Sequence, residues 1–134
     1  MRDSQQQNDA TRVMVVDDDD AVRELIRAIM TKDGYKVATA RTGAEAVRQA
    51  DRFHPDLIIM DITMPEMDGY EATSRIRRNP RLKEVPIVFL TGKTVAEDAG
   101  RSFATGGSVF VRKPFSAKQI RDLVRLTLAS APHA

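Results

Sequence analysis

The sequence has no cysteine, so disulfides and thiolate metal centres are excluded at the outset. Histidine is nearly absent too. His54 precedes a proline and His133 sits in the C-terminal tail, so both read as structural or solvent-facing residues. Charge of one sign is lacking as well: 21 Lys and Arg stand against 19 Asp and Glu, a formal net charge of +2. A balance so close to zero gives no case for nucleic acid or membrane binding by the molecule as a whole. No apolar run approaches the roughly 20 residues that span a bilayer. Met1 to Thr11 is polar, without the apolar core of a signal peptide, and the cytoplasm is the expected location. There is no long Gly/Ser- or Pro-rich linker and no internal repeat, and 134 residues make room for one domain. That domain is expected over residues 12–129, with a disordered lead-in over 1–11 and a flexible tail over 130–134, the last helix fraying from Ala129.

Apolar runs of strand length alternate with segments of helical period. Val13-Met14-Val15-Val16 and Leu57-Ile58-Ile59-Met60 are continuous, the pattern of strands buried on both faces. Tyr35 to Ala40, Pro86 to Leu90 and Val109 to Val111 complete five predicted strands. Between them, Ala21, Val22, Leu25, Ile26, Ile29 and Met30 recur at helical spacing and Gly34 closes the helix. Thr42 with Glu45, and Ser116 with Gln119, are capping boxes opening further helices. A loop over Met64 to Gly69 leads into a third helix, and about Val95 to Ala104 is weakly helical. Five βα units of this kind predict an α/β fold with one parallel sheet covered by helices on both faces.

In such sheets ligands bind at the carboxyl ends of the strands, so the residues ending each strand are the candidates. Strand one ends in Asp17 and Asp18, strand three in Asp61, strand four in Thr91, and strand five leads to Lys113. Clustered carboxylates repel one another unless a cation neutralises them. Ligation by oxygen alone suits a hard divalent ion, and Mg²⁺ fits when phosphate shares its shell. Lysine and threonine supply a charge and a donor for phosphate oxygens, and the chemistry expected is carboxylate attack on phosphorus. In the acidic run, Asp19 and Asp20 read as cap and first-turn residues. Asp68-Gly69 reads as turn chemistry.

The segments Val15-Val16-Asp17-Asp18, Asp61-Ile62-Thr63-Met64-Pro65-Glu66-Met67-Asp68-Gly69, Leu90-Thr91-Gly92 and Lys113-Pro114-Phe115, in that order, closely resemble bacterial response-regulator receiver domains. The resemblance runs from about Arg12 to Leu128. It implies a flavodoxin-like doubly wound fold with strand order 2-1-3-4-5. It makes Asp61 the phosphoacceptor, Asp18 and Asp61 direct Mg²⁺ ligands together with the Thr63 carbonyl, and Asp17 the holder of a metal-bound water. Lys113, joined to Pro114 by a cis peptide, would pair with the phosphoryl oxygens. Thr91 would bond the phosphoryl group and act with Phe110 as the switch, Phe110 standing where the family often keeps Tyr. The implied donor is a phosphohistidine on a histidine kinase or histidine phosphotransfer protein. The output would be a changed surface on the fourth helix, fifth strand and last helix, in a monomer or a phosphorylation-dependent dimer. Gly92, Thr63, Lys93 and Arg112 depart from the family's commonest residues.

From Arg101 onward, Arg101, Arg112, Lys113, Lys118, Arg121 and Arg125 face one acid, Asp122, which would suit a target with an acidic patch. A stand-alone signalling protein without enzymatic turnover is the expectation. Two alternatives keep the same chemistry or family: a Mg²⁺-dependent aspartyl-phosphate phosphatase or phosphotransferase, and a receiver cut from a DNA-binding regulator. The former typically places its two acids two residues apart with a cap domain, whereas Asp17 and Asp18 are adjacent. A nucleotide- or flavin-binding module would need a Walker loop or a Gly-x-Gly-x-x-Gly turn after the first strand, and neither is present.

Overall fold

The computed structural model describes residues 10–92 and 109–130. Five strands, β1 (Arg12–Val16), β2 (Lys36–Ala40), β3 (Leu57–Asp61), β4 (Ile87–Thr91) and β5 (Val109–Arg112), form one sheet in the order β2-β1-β3-β4-β5. Every pairing is parallel. Around it lie α1 (Asp20–Lys32), α2 (Gly43–Phe53), α3 (Gly69–Ile76) and the C-terminal helix, labelled α4 (Ala117–Ser130). The helix expected over about 95–104 lies outside the described residues.

The continuous apolar strands serve two cores at once. Met14 and Val16 of β1, Ile58 and Met60 of β3, and Ile87 and Phe89 of β4 pack with Ala46, Ala50, Tyr70 and Ile76 from α2 and α3. The alternate residues Val13, Val15, Leu57, Ile59, Val88 and Leu90 pack with Ile26, Met30, Ile120 and Val124 from α1 and α4. Since side chains alternate across a strand, only an unbroken apolar run can fill both layers.

Local chemistry sets the helix ends. Asp19 caps α1 by accepting from the Ala21 and Val22 amides. The same helix closes in a Schellman motif, Gly34 N donating to Thr31 O at 3.0 Å and Tyr35 N to Met30 O at 3.1 Å, with Gly34 at φ +94°. Thr42 Oγ1 accepts from Glu45 N at 3.0 Å, but Glu45 reaches back to Arg41 N at 2.6 Å, so the box closes one residue early. Ser116 and Gln119 exchange their expected bonds at the start of α4.

Two boundaries differ from expectation. Thr11 is not part of a free lead-in, because its carbonyl accepts from Lys36 N at 2.9 Å and extends the β1–β2 ladder. Ala129 and Ser130 are helical, the Ser130 hydroxyl donating back to Leu126 O at 3.0 Å across the last turn.

Asp68 and Gly69 do more than turn the chain. Asp68 caps α3 by accepting from Glu71 N at 2.8 Å, and Gly69 N donates to Ile62 O at 2.8 Å. A Cβ on Gly69 would lie 2.4 Å from the Asp61 carbonyl oxygen and 2.9 Å from Ile62 Cα. Only glycine lets the start of α3 rest against the end of β3. Gly69→Ala is therefore expected to cost about 1–3 kcal/mol of stability by overpacking backbone against backbone, read as a lower urea midpoint. An unchanged midpoint would show that α3 can back away from Asp61 freely.

Candidate functional site

The sheet carries Asp17, Asp18, Asp61, Thr91 and Lys113 to one edge. Asp17 follows β1 directly; Asp61 ends β3 and Thr91 ends β4, the register setting Asp61 against Leu90. Lys113 follows β5, and its amide donates to the Thr91 carbonyl at 2.8 Å. Asp17, Asp61 and Thr91 are buried, whereas Asp18 is exposed at the mouth. One carboxylate oxygen from each of Asp17, Asp18 and Asp61 lies within 4.8 Å of the others. The Lys113 ammonium stands 3.0 Å from Asp17 Oδ2 and 3.4 Å from Asp61 Oδ1, with 27% of its side chain exposed.

Among the described residues three acids share one adjacent ammonium, and the balance shows on Asp61. Burial first, and the Asp17 charge second, push its carboxyl up to about 7 against the pull of Lys113. At Lys113 burial works against the charge, but the close negative charges of Asp17 and Asp61 prevail and raise the ammonium above its usual value. Asp17 Oδ2 is fully buried and ion-paired to Lys113, yet off the direction of a hydrogen bond, so it retains unused acceptor capacity. An all-oxygen donor set with an unsatisfied buried carboxylate fits a hard divalent cation such as Mg²⁺.

The other expected site residues fall nearby or outside the described part. Thr63 is exposed two residues beyond Asp61, in the turn leading to α3. Phe110 is half-buried against the core, its ring stacked on Phe89 at 5.6 Å between centroids. The Lys113–Pro114 peptide is cis. Arg112 is exposed and lies in register with Thr91. Lys93 and Arg101 are outside the described residues. His54 caps the end of α2 in a left-handed conformation, φ 52°, away from the carboxylates. Two participants escaped the sequence reading: Gly69, whose contact is with backbone eight residues upstream, and Arg23, which donates to the Asp17 carbonyl at 3.0 Å. Neither leaves a motif signal, since both act on main-chain atoms.

A family model described as the response regulator receiver domain matches residues 13–125. The chain belongs to the receiver-domain family. Among curated proteins, this receiver is 31% identical to PilG of Pseudomonas aeruginosa over 94% of its own length and 93% of PilG. It is 35% identical to the response regulator Rre1 of Synechocystis over 87% of its length, but spans only 51% of Rre1. Among solved structures, the chemotaxis protein CheY4 of Vibrio cholerae superposes with a TM-score of 0.85 at 30% identity, covering 88% of this receiver and 98% of CheY4. The receiver domain of the sensor histidine kinase PA1611 from Pseudomonas aeruginosa, solved with magnesium in its active-site cleft, gives 0.82 at 30% identity, covering 90% and 99%.

The raised carboxyl of Asp61 has a definite sign in folding. The unfolded chain releases that proton near 3.8 and the folded receiver only near 7, so this group favours folding at low pH and withdraws that support as pH rises between them. In metal-free buffer, Asp61→Asn should match the parent near pH 4 and become progressively more stable than it up to pH 8. Urea midpoints of the two proteins across that range give the comparison, and a constant difference would contradict the raised carboxyl of Asp61.

Proposed function

We propose that this receiver accepts a phosphoryl group on Asp61 from the phosphohistidine of a histidine kinase or phosphotransfer protein and signals through the resulting change of surface. The observation that supports it most is the placement of Asp61, with Lys113 3.4 Å from its Oδ1 and two further carboxylates within 4.8 Å. Asp61 is the nucleophile. Its oxygen forms a bond to phosphorus as the phosphorus–nitrogen bond to the donor histidine breaks, and the leaving imidazole takes a proton from water. Asp18, Asp61 and the Thr63 carbonyl would hold Mg²⁺ directly, and Asp17 would hold it through a water. When bound, Mg²⁺ supplies the positive charge that offsets the acids and the incoming phosphoryl oxygens. Lys113 pairs with those oxygens, and Thr91 donates its hydroxyl to them. Little else is required, because phosphoryl transfer is chiefly positioning and charge neutralisation.

Thr91 and Phe110 form the switch, coupling the phosphoryl group to the surface of β5, α4 and the segment between β4 and β5. The protein acts alone by contact with a downstream protein rather than by turnover, as the near-complete overlap with PilG favours. The half-length overlap with Rre1 supports the second reading, a receiver belonging to a longer regulator. An acidic target remains compatible with the basic C-terminal region, but the pairing within it narrows that surface. Lys118 is bound to Asp122 at 2.5 Å, and Arg125 lies 3.3 Å from Asp33. Among the described residues, Arg112 and Arg121 are the C-terminal arginines without an ion pair.

Intact-mass analysis with a small phosphodonor and Mg²⁺ tests the reading. The parent is expected to gain one phosphoryl group, Asp61→Asn none, and the parent in chelator little. A gain that persists in Asp61→Asn would remove Asp61 from the role.

A further inference from the structure

Asp17 has four hydrogen-bonding groups, and three are committed. Its amide donates to Ala40 O at 3.2 Å, and its Oδ1 accepts from Asp19 N at 2.9 Å. Its carbonyl accepts from the Arg23 guanidinium at 3.0 Å. Only Oδ2, buried beside Lys113, remains for the site. Arg23 reaches this carbonyl from the first turn of α1 with 16% of its side chain exposed, and its other terminal nitrogen holds Asp20 Oδ1 at 2.5 Å. Asp20 in turn lies 3.8 Å from Arg41, on the connection between β2 and α2. The guanidinium fork is thus fixed at one tip by a carboxylate and grips the main chain with the other.

Beyond the ion pair with Asp20, electrostatics gives metal binding no reason for a cation there. Near a helix N-terminus a positive charge opposes the helix dipole. Beside an acid cluster it also repels the divalent ion the acids would hold. What the arrangement gains is geometric. The Asp17 carbonyl belongs to the planar Asp17–Asp18 peptide, so holding its oxygen fixes the plane from which the Asp18 side chain departs.

We propose that Arg23 is a positioning residue for the cation site, holding the Asp17–Asp18 peptide so that both carboxylates face Asp61. This rests on the reading of Asp17, Asp18 and Asp61 as that site.

Charge and geometry make opposite demands, which decides the test. Mg²⁺ is titrated calorimetrically into unphosphorylated, metal-free protein, and the amide exchange of Asp18 is followed without metal. If geometry rules, Arg23→Gln weakens Mg²⁺ binding by about tenfold, the loss expected for one hydrogen bond to a charged group. It also speeds Asp18 exchange in the metal-free state. Arg41→Gln, which removes a cation near Asp20 without touching Asp17, leaves binding unchanged or tighter. Equal or tighter binding by a folded Arg23→Gln would overturn the proposal. Should that variant fail to fold, Arg23→Lys takes its place: it keeps the charge but not the fork, so weaker binding supports the proposal and parental binding refutes it. Parental protein that binds no Mg²⁺ would refute the cation site itself, a failure distinct from that of Arg23.

Discussion

Repulsion among three carboxylates packed beside the Lys113 ammonium governs this site. Asp17 and Asp61 are buried, and Asp18 stands at the mouth within 4.8 Å. Carboxylates packed this closely in a low-dielectric setting must lose charge by protonation, gain a cation, or move apart. The last route is blocked by the scaffold. Val16 and Met60, immediately before Asp17 and Asp61, are paired across β1 and β3 and buried in the core with α2 and α3. Asp17 and Asp61 are therefore held close by packing elsewhere, and Asp61, pushed up to about 7 by its burial first and by the Asp17 charge second, is the group that registers it. A site built this way is ready for positive charge before any arrives.

The same economy explains which parts of the structure were legible in the sequence. Strand ends were plain because an unbroken apolar run stopping at an acid has one physical reading in an α/β sheet: a two-faced strand that delivers a carboxylate to its carboxyl edge. Caps were plain because Thr42, Ser116 and Gly34 satisfy helix ends through contacts only a few residues away. What the chain hid were contacts between a side chain, or its absence, and distant backbone. Gly69 looked like half of an Asp-Gly turn, and nothing in that dipeptide announces that the Asp61 carbonyl would occupy the space of its Cβ. Arg23 looked like an ordinary charged residue on an amphipathic helix, since its partner is a carbonyl and carbonyls have no letter in a sequence. The helical Ser130 and the ladder contact of Thr11 were missed for the simpler reason that small polar residues at a domain edge carry no periodic signal.

Charge along the chain is a weaker guide than charge in space. The run from Arg101 onward reads as basic, yet α4 pairs Lys118 and Arg125 with Asp122, and Arg125 also reaches Asp33 beyond the end of α1. Exposed pairs of this kind contribute little to stability, so their importance lies in the field they cancel. Arg112 is different in kind. As the last residue of β5 it is in register with Thr91, and strand alternation puts both on the sheet face that carries Phe89 and Phe110. Its charge is thus placed beside Thr91 and Phe110 rather than spread over a helix.

That placement bears on how a phosphoryl group on Asp61 could be felt at the surface. The Thr91 carbonyl is tied to the Lys113 amide at 2.8 Å, and β4 is buried along its whole length, so the strand end has little freedom to shift as a body. The adjustment available to Thr91 is rotation of its side chain. Phe110 is already half-buried and stacked on Phe89, which in turn lies 5.0 Å from the Tyr70 ring between centroids. Lacking the hydroxyl of tyrosine, it has no polar group to satisfy in an outward position and loses apolar contact by going there. The inward ring is accordingly the favoured state. On the proposed function, the part of the switch that changes would then be the Thr91 hydroxyl, turning towards the phosphoryl group while the Phe110 ring is already packed inward.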